Sequence, residues 1–286
     1  MPQPRITIVT PCFNSERFLE ETILSVLDQG WENLEYIIVD GGSTDGTVDI
    51  IRKYEKHLTA WISEPDQGMY DAINKGFAMG TGEIYAWMNS DDTYLPGAFK
   101  VMAEAFQRYP DLDWLTGVTT YTDTSGNTVS TSPLLLYHTA DLVQGYHGLC
   151  MHYVHQNCCF WRASLWKEYG PIPPYLKYAG DYWLWTQFAK KSGLTSVNLP
   201  TASFRRHATQ LSKDQVKYRQ EMWQCFNGSR LVVRFRQLLR RVSMPSDYHM
   251  RVFNWLRRLP AYSWIDPAND FAMQETKQTR VLQPMK

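Results

Sequence analysis

The chain has 286 residues, 44% of them hydrophobic, and 29 Lys and Arg against 29 Asp and Glu, which suits one large α/β domain or a domain plus a modest extension and excludes a disordered chain. Five scattered cysteines without a C-x-x-C pair point to neither a disulfide framework nor a zinc site, and no apolar run reaches the ~20 residues that span a bilayer, so a reducing cytosol is the expected compartment. The zero net charge is unevenly spread: residues 1–204 carry 13 basic and 23 acidic side chains, and residues 205–258 carry 13 and 3, which implies different partners for the two regions.

Arg5 to Thr10 is β-branched and apolar and runs into Pro11-Cys12-Phe13-Asn14, the pattern of a strand that ends in a loop. Phe18, Leu19, Ile23, Val26 and Leu27 then recur at helical spacing before Gly30, predicting an amphipathic helix over 16–29 that Asn14 or Ser15 could cap. The unit repeats as a strand over Leu34–Val39, a glycine-rich turn over Asp40–Gly46 and a helix over Thr47–Tyr54. A third strand near Leu58–Ser63 leads through Glu64-Pro65-Asp66-Gln67-Gly68 into a helix near Met69–Met79. The fourth strand begins at Ile84 and ends in Asp91-Asp92, and a helix follows over about 96–108. Strands and helices alternating to residue 110 predict a parallel sheet with right-handed crossovers. Trp114–Tyr121 and Thr128–Ser130 flank a turn at Asp123–Asn127 and read as a hairpin. From 131 to 180 the pattern loosens, with helical stretches near Ala163–Tyr169 and Asp181–Lys191 and an aromatic strand around Phe160-Trp161.

Beyond residue 212 the chain turns helical and basic. Leu231, Phe235, Leu238 and Val242 share one helical face, surrounded by Arg230, Arg234, Arg236, Arg240 and Arg241. A break at Pro245-Ser246 precedes a second basic helix carrying Val252, Phe253, Trp255, Leu256, Arg257 and Arg258, and residues 260–286 show no periodicity. This pair fits an anionic bilayer surface, or its apolar stripe packs on the domain or on a second subunit; without a recognised binding module, nucleic acid is not expected.

Two constellations carry chemistry. Asp40 ends an apolar strand and shares an edge of the expected sheet with Thr10 and Asp91, where a carboxylate can accept from a ribose or a base imide; the turn after it lacks the glycine and lysine spacing of a phosphate loop. Asp91 and Asp92 lie between apolar segments, so they either hold a hard cation such as Mg²⁺ or Mn²⁺ against a diphosphate, or Asp92 caps the helix that follows.

The segments I-T-I-V-T-P-C-F-N, I-I-V-D-G-G-S-T-D-G-T, S-E-P-D-Q-G-M-Y-D-A-I-N-K-G and T-G-E-I-Y-A-W-M-N-S-D-D resemble, in order and spacing, the nucleotide-sugar domain of glycosyltransferase family 2. The likeness is close over residues 5–110 and looser over 150–210, and Gly41 stands where many relatives carry a second Asp. It implies a GT-A-type α/β fold, a doubly wound, mainly parallel sheet flanked by helices. Residues 1–110 would form a donor half, 111–212 an acceptor half of the same domain, and 213–286 a helical basic extension. It also implies that Thr10, Pro11 and Phe13 line the base pocket, that Asp40 binds the base, and that Asp66 lies along the nucleotide or donor sugar. Asp91 would contact ribose or sugar, and Asp92 would bind Mn²⁺ or Mg²⁺.

In Phe204-Arg205-Arg206-His207, which resembles the segment closing over the diphosphate, Arg205 would neutralise phosphate and His207 would complete the metal shell. His155 and Gln156 would shape the acceptor pocket. The family inverts anomeric configuration and so needs a general base; the match is Asp181, which by its position before an apolar helix also reads as an N-cap. The resemblance thus implies transfer of a sugar from a nucleotide-diphosphate donor to a hydroxyl of a glycan or lipid-linked acceptor, in surface polysaccharide or glycolipid synthesis; the expected location is the cytoplasm, where the basic helices could hold the protein at the inner face of the cell membrane. The rival readings are a sugar nucleotidyltransferase, which would need a basic glycine-rich triphosphate loop near the amino terminus, and a non-catalytic sugar-nucleotide-binding protein that docks on membranes.

Overall fold

A computed structural model describes residues 2–241, 262–266 and 272–276. Its strands are β1 (Ile6–Cys12), β2 (Leu34–Asp40), β3 (Ala60–Ser63), β4 (Ile84–Trp87), β5 (Thr93–Tyr94), β6 (Trp114–Thr122), β7 (Thr128–Thr131), β8 (Cys159–Arg162), β9 (Thr195–Arg205), β10 (Tyr262–Asp266) and β11 (Ala272–Thr276). The helices are α1 (Leu19–Leu27), α2 (Thr47–Tyr54), α3 (Met69–Met79), α4 (Ala98–Arg108), α5 (Thr139–Val143), α6 (Ala163–Tyr169), α7 (Gly180–Phe188), α8 (Gln215–Cys225) and α9 (Arg230–Arg241).

One mixed sheet runs β11-β10-β9-β6-β8-β4-β1-β2-β3. The donor half is parallel as expected: β1 lies between β2 and β4, and β2 pairs with β3. Buried on every residue, β1 shows the unbroken apolar run of a strand covered on both faces. The chain steps from β1 to β2 to β3 on one side and returns to the other side at β4. The carboxyl ends of β1 and β4 therefore flank a switch point, where a crevice opens in such sheets. Strand β8 enters antiparallel between β4 and β6, so the two halves share one sheet.

Several boundaries move for local reasons. α1 starts at Leu19 without a side-chain cap, because Asn14 binds the backbone N–H of Thr44 and the Ser15 hydroxyl pairs with Ser90. α4 starts at Ala98, since Gly97 before it takes a left-handed conformation (φ 81°). The hairpin around Asp123 forms, with that carboxylate accepting from the N–H groups of Ser125 and Asn127. The tail differs more: after α8 and α9 the chain returns to the sheet, with β10 parallel to β9 and β11 antiparallel to β10, where no periodicity was visible. On α9, Val233 and Arg236 are buried, and Arg236 faces the fully buried Asp141 at 3.5 Å; Arg236 thus leaves the expected basic surface. Leu231, Phe235 and Leu238 face outward, 76%, 46% and 58% exposed, so this stripe does not pack on the described domain. Val242 and the expected second basic helix lie outside the described residues.

Under the cleft lies an aromatic layer. Trp87 of β4 stacks on Trp185 of α7 with centroids 5.8 Å apart and planes 9° from parallel, and Trp114 of β6 stacks on the same ring at 5.5 Å. Trp161 of β8 meets Trp87 edge-on at 5.4 Å. Each contact contributes about 0.5–1.5 kcal/mol beyond the area it buries. The layer ties the strand that carries Asp91 and Asp92 to the helix that carries Asp181.

Candidate active site

A cleft of about 1140 Å³ opens at this switch point, and Pro11, Phe13, Asp66, Asp91, Asp92, His155, Gln156, Asp181 and His207 all line it. The loop after β1 supplies its first wall. Phe13 is 61% exposed there, and Arg17 extends into the same space.

Two expected donor ligands lie beneath the cleft floor instead. Thr10 is fully buried with its hydroxyl 3.1 Å from the Tyr36 hydroxyl. Asp40 is also fully buried, and its carboxylate accepts from the N–H groups of Gly42 and Ser43 and the hydroxyls of Ser43 and Ser63. Those bonds shape the glycine-rich turn, and neither Thr10 nor Asp40 is among the residues lining the cleft. The carboxylate beside that turn on the cleft wall is Asp66. One of its oxygens accepts from the N–H of Gly68 at 2.7 Å, and the other lies 2.8 Å from where a Cβ on Gly41 would sit. Asp66 therefore fills the space that a side chain at position 41 would occupy.

The two adjacent acids separate clearly. Asp91 accepts from His207 Nε2 at 2.8 Å, and the His207 ring packs on Phe18 with centroids 5.0 Å apart. Asp92 is 1% exposed; one oxygen accepts from the backbone N–H of Arg205 at 2.9 Å and the other has no protein partner. Burial, then the neighbouring Asp91 charge, pushes the Asp92 carboxyl well above the usual carboxylate range. Asp92 does not cap a helix, since α4 starts six residues later and its N-cap position is Gly97. An unpaired buried carboxylate oxygen, with a second carboxylate and an imidazole beside it, is a donor set suited to a hard divalent ion that keeps ligands from water or phosphate. Among the described residues, no three His, Cys, Asp or Glu side chains are grouped so as to hold a metal ion by themselves.

Arg205 is placed otherwise than expected. Its side chain is 3% exposed, its Nε donates to the Asp91 backbone carbonyl at 3.0 Å, and its guanidinium binds the Glu21 carboxylate and stacks on Phe18 at 4.7 Å. It braces the acidic loop from behind and is not among the residues lining the cleft. Arg17 and the exposed Arg206, which sits 4.1 Å over the Tyr121 ring, are the basic side chains near the mouth.

On the far wall, Asp181 occupies the first turn of α7 but not its N-cap, which is Ala179. Its carboxylate accepts from the hydroxyls of Tyr70 at 3.2 Å and Tyr218 at 3.0 Å. Burial outweighs those bonds and raises its pKa to about 6. That value suits a group that takes a proton near neutral pH. His155 is held neutral, burial pushing it down to about 4, with Nε2 3.3 Å from the Tyr121 hydroxyl. Gln156 donates to the Trp87 carbonyl at 2.7 Å and so fixes the end of β4. Tyr70 and Tyr218 were not singled out from sequence. They lie on α3 and α8, whose spacing in sequence gives no sign that they meet at Asp181.

Comparison with known proteins gives the family and the fold. The model of Glycosyl transferase family 2 matches residues 7–168. An uncharacterized glycosyltransferase of Haemophilus influenzae is 24% identical over 221 residues, 73% of this chain and 68% of the relative. A putative teichuronic acid biosynthesis glycosyltransferase, TuaG of Bacillus subtilis, is 38% identical over 95 residues, 32% of this chain and 38% of the relative. Among solved structures, residues 1–349 of S. aureus TarS in complex with UDP-GlcNAc align with a TM-score of 0.60 at 18% identity, covering 73% of this chain and 61% of that one. The mannosyltransferase PcManGT of Pyrobaculum calidifontis, in complex with GDP-Man and Mn2+, aligns with a TM-score of 0.56 at 18% identity, covering 79% and 64%. The chain thus spans less than two thirds of the solved chains it resembles, and that likeness establishes a GT-A-type α/β fold. Over half of its length fits the family model, with the acidic loop of that family at the switch point of the sheet, so the chain belongs to glycosyltransferase family 2.

Proposed function

We propose that the chain is an inverting, metal-dependent transferase that moves a sugar from a nucleotide-diphosphate donor to a hydroxyl of a glycan or lipid-linked acceptor, in polysaccharide or glycolipid assembly. One observation carries this reading: a single cleft holds Asp91, Asp92 and His207 on one wall and a carboxyl with a pKa of about 6, Asp181, on the other. That division matches an inverting displacement, in which attack and departure occur on opposite faces of the sugar. Phe13 offers an exposed ring to the base, and Asp66 replaces Asp40 as the carboxylate that accepts from a base N–H. Asp91 faces ribose or sugar, held in place by His207 and by Arg205 behind the loop.

Asp92 through its unpaired oxygen, with His207, would hold Mn²⁺ or Mg²⁺, which when bound offsets charge on the leaving diphosphate. Asp181 takes the proton of the acceptor hydroxyl as its oxygen attacks the anomeric carbon. His155 and Gln156 bound the acceptor side as neutral hydrogen-bonding groups. The teichuronic acid role of TuaG and the nucleotide-sugar ligands of TarS and PcManGT support the substrate class. The test is Asp181→Asn. Donor binding should persist while transfer falls by about 10²–10⁴-fold, and undiminished transfer would remove Asp181 from the mechanism and favour a binding protein.

Membrane docking at the cytoplasmic face is supported by the outward apolar stripe of α9, which Arg230 and Arg234 flank on the same exposed surface. No described helix is long and apolar enough to cross a membrane.

A further inference from the structure

The chain entering α7 is held from another helix, since Ala179 at the N-cap position offers no side-chain cap. The acceptor is Glu221 of α8. Its carboxylate accepts from three consecutive N–H groups, those of Lys177, Tyr178 and Ala179, at 2.8–3.1 Å. A carboxylate at this end of a helix is also favoured by the helix dipole. One turn away on the same helix, Tyr218 donates its single hydroxyl proton between the two Asp181 oxygens at 3.0 and 3.1 Å. Between them lies an apolar anchor: Met222, fully buried, packs in one cluster with Leu149, Ala179 and Tyr182. Tyr218, Glu221 and Met222 thus all reach residues 177–182 from α8, beyond the region that matches the family.

We propose that α8 is a positioning clamp for the catalytic base: Glu221 fixes the chain entering α7, Tyr218 fixes the Asp181 carboxylate, and the site is complete only with α8 docked. The inference rests on Asp181 acting as the base. The tyrosines, the thiol and the histidine packed nearest Asp181 do not change charge near pH 6. Burial raises Tyr70 on α3, Tyr218 on α8, Tyr182 on α7 and Cys159 on β8 above their ordinary values, and lowers His147, across a small cavity, well below its own.

Three full-length variants test the clamp: Tyr218→Phe, Glu221→Ala and Asp181→Asn as reference. Infrared difference titration of wild type against Asp181→Asn isolates the Asp181 carboxyl without any substrate. Removing the Tyr218 donor destabilises the ionised form, so Tyr218→Phe should raise the midpoint by about one pH unit. A packing role alone would leave that midpoint in place, because the ring remains. Amide hydrogen exchange should quicken at least about tenfold at residues 177–179 in Glu221→Ala while the β1 and β2 amides stay protected. UDP binding in Mn²⁺ should be unchanged in Tyr218→Phe. An unmoved midpoint in Tyr218→Phe, or unaltered exchange in Glu221→Ala, overturns the clamp. Full transfer by Asp181→Asn would instead overturn the assignment of the base while leaving both of these measurements intact.

Discussion

Replacing Gly41 with Asp would restore the second acid that many relatives carry, yet here it should weaken donor binding. The Cβ alone would lie 2.8 Å from one Asp66 oxygen and 3.1 Å from its carboxyl carbon, closer than real contacts allow, so Asp66 must move. Two carboxylates about 4 Å apart repel by about 4 kcal/mol at an effective dielectric of 20 and about 1 kcal/mol in bulk water. Asp66 is partly exposed, and the lower end applies, which corresponds to roughly a 5- to 10-fold loss of affinity. The double variant Gly41→Asp/Asp66→Ser removes the repulsion and leaves one carboxylate in the same space, so it should regain most of the loss. Calorimetric titration with UDP and with GDP in Mn²⁺ measures all three proteins, and the cycle with Asp66→Ser gives the coupling directly. Equal affinity in the wild type and in both single variants would refute the claim that Asp66 stands in for the missing acid.

Transfer should fall as pH drops through about 6, because burial raises the Asp181 carboxyl and only its ionised form accepts a proton; at pH 5 about one tenth of plateau activity should remain. A flat rate from pH 7 to 5 would exclude it. EDTA should abolish transfer, and His207→Ala should raise the Mn²⁺ concentration needed for half-activity by about tenfold; indifference to both removes the metal role of Asp92 and His207. Arg205→Met should cost about 2–3 kcal/mol, read as a melting temperature lower by roughly 5–10 °C, because a buried side chain with several polar partners is lost. A loss of donor affinity at unchanged melting temperature would return Arg205 to the phosphate. Replacing Arg230, Arg234, Arg240 and Arg241 with Gln should reduce co-sedimentation with vesicles rich in anionic lipid, and equal sedimentation counts against docking on a bilayer.

The donor half was legible because its strands are short, uniformly apolar and separated by glycine-bearing loops, so periodicity and punctuation agree. The second half was not, for stated reasons. β9 contains Pro200 and shifts register twice against β6, which breaks any period, and β8 pairs with two strands far away in sequence. Where the chemistry is local, as for Asp91 and Asp92, the expected residues do line the cleft. Where burial decides, sequence does not give the placement: Asp40 and Arg205 are buried, with their side chains bonded to the glycine-rich turn and to the back of the acidic loop. The partners of Asp181 were invisible because Tyr70 and Tyr218 lie 111 and 37 residues from it.

The stacked tryptophans have a bearing on substrate choice. Asp91 and Asp92 follow Trp87 by four and five residues, and Asp181 precedes Trp185 by four, so both walls hang from the same pair of rings. Close-packed indoles do not stretch, and the gauge between the two walls of the cleft is set by the core rather than by a hinge. Variation in what is glycosylated must then fall to the loops around residues 145–156 and 204–212, which can change in length and sequence without resetting that gauge.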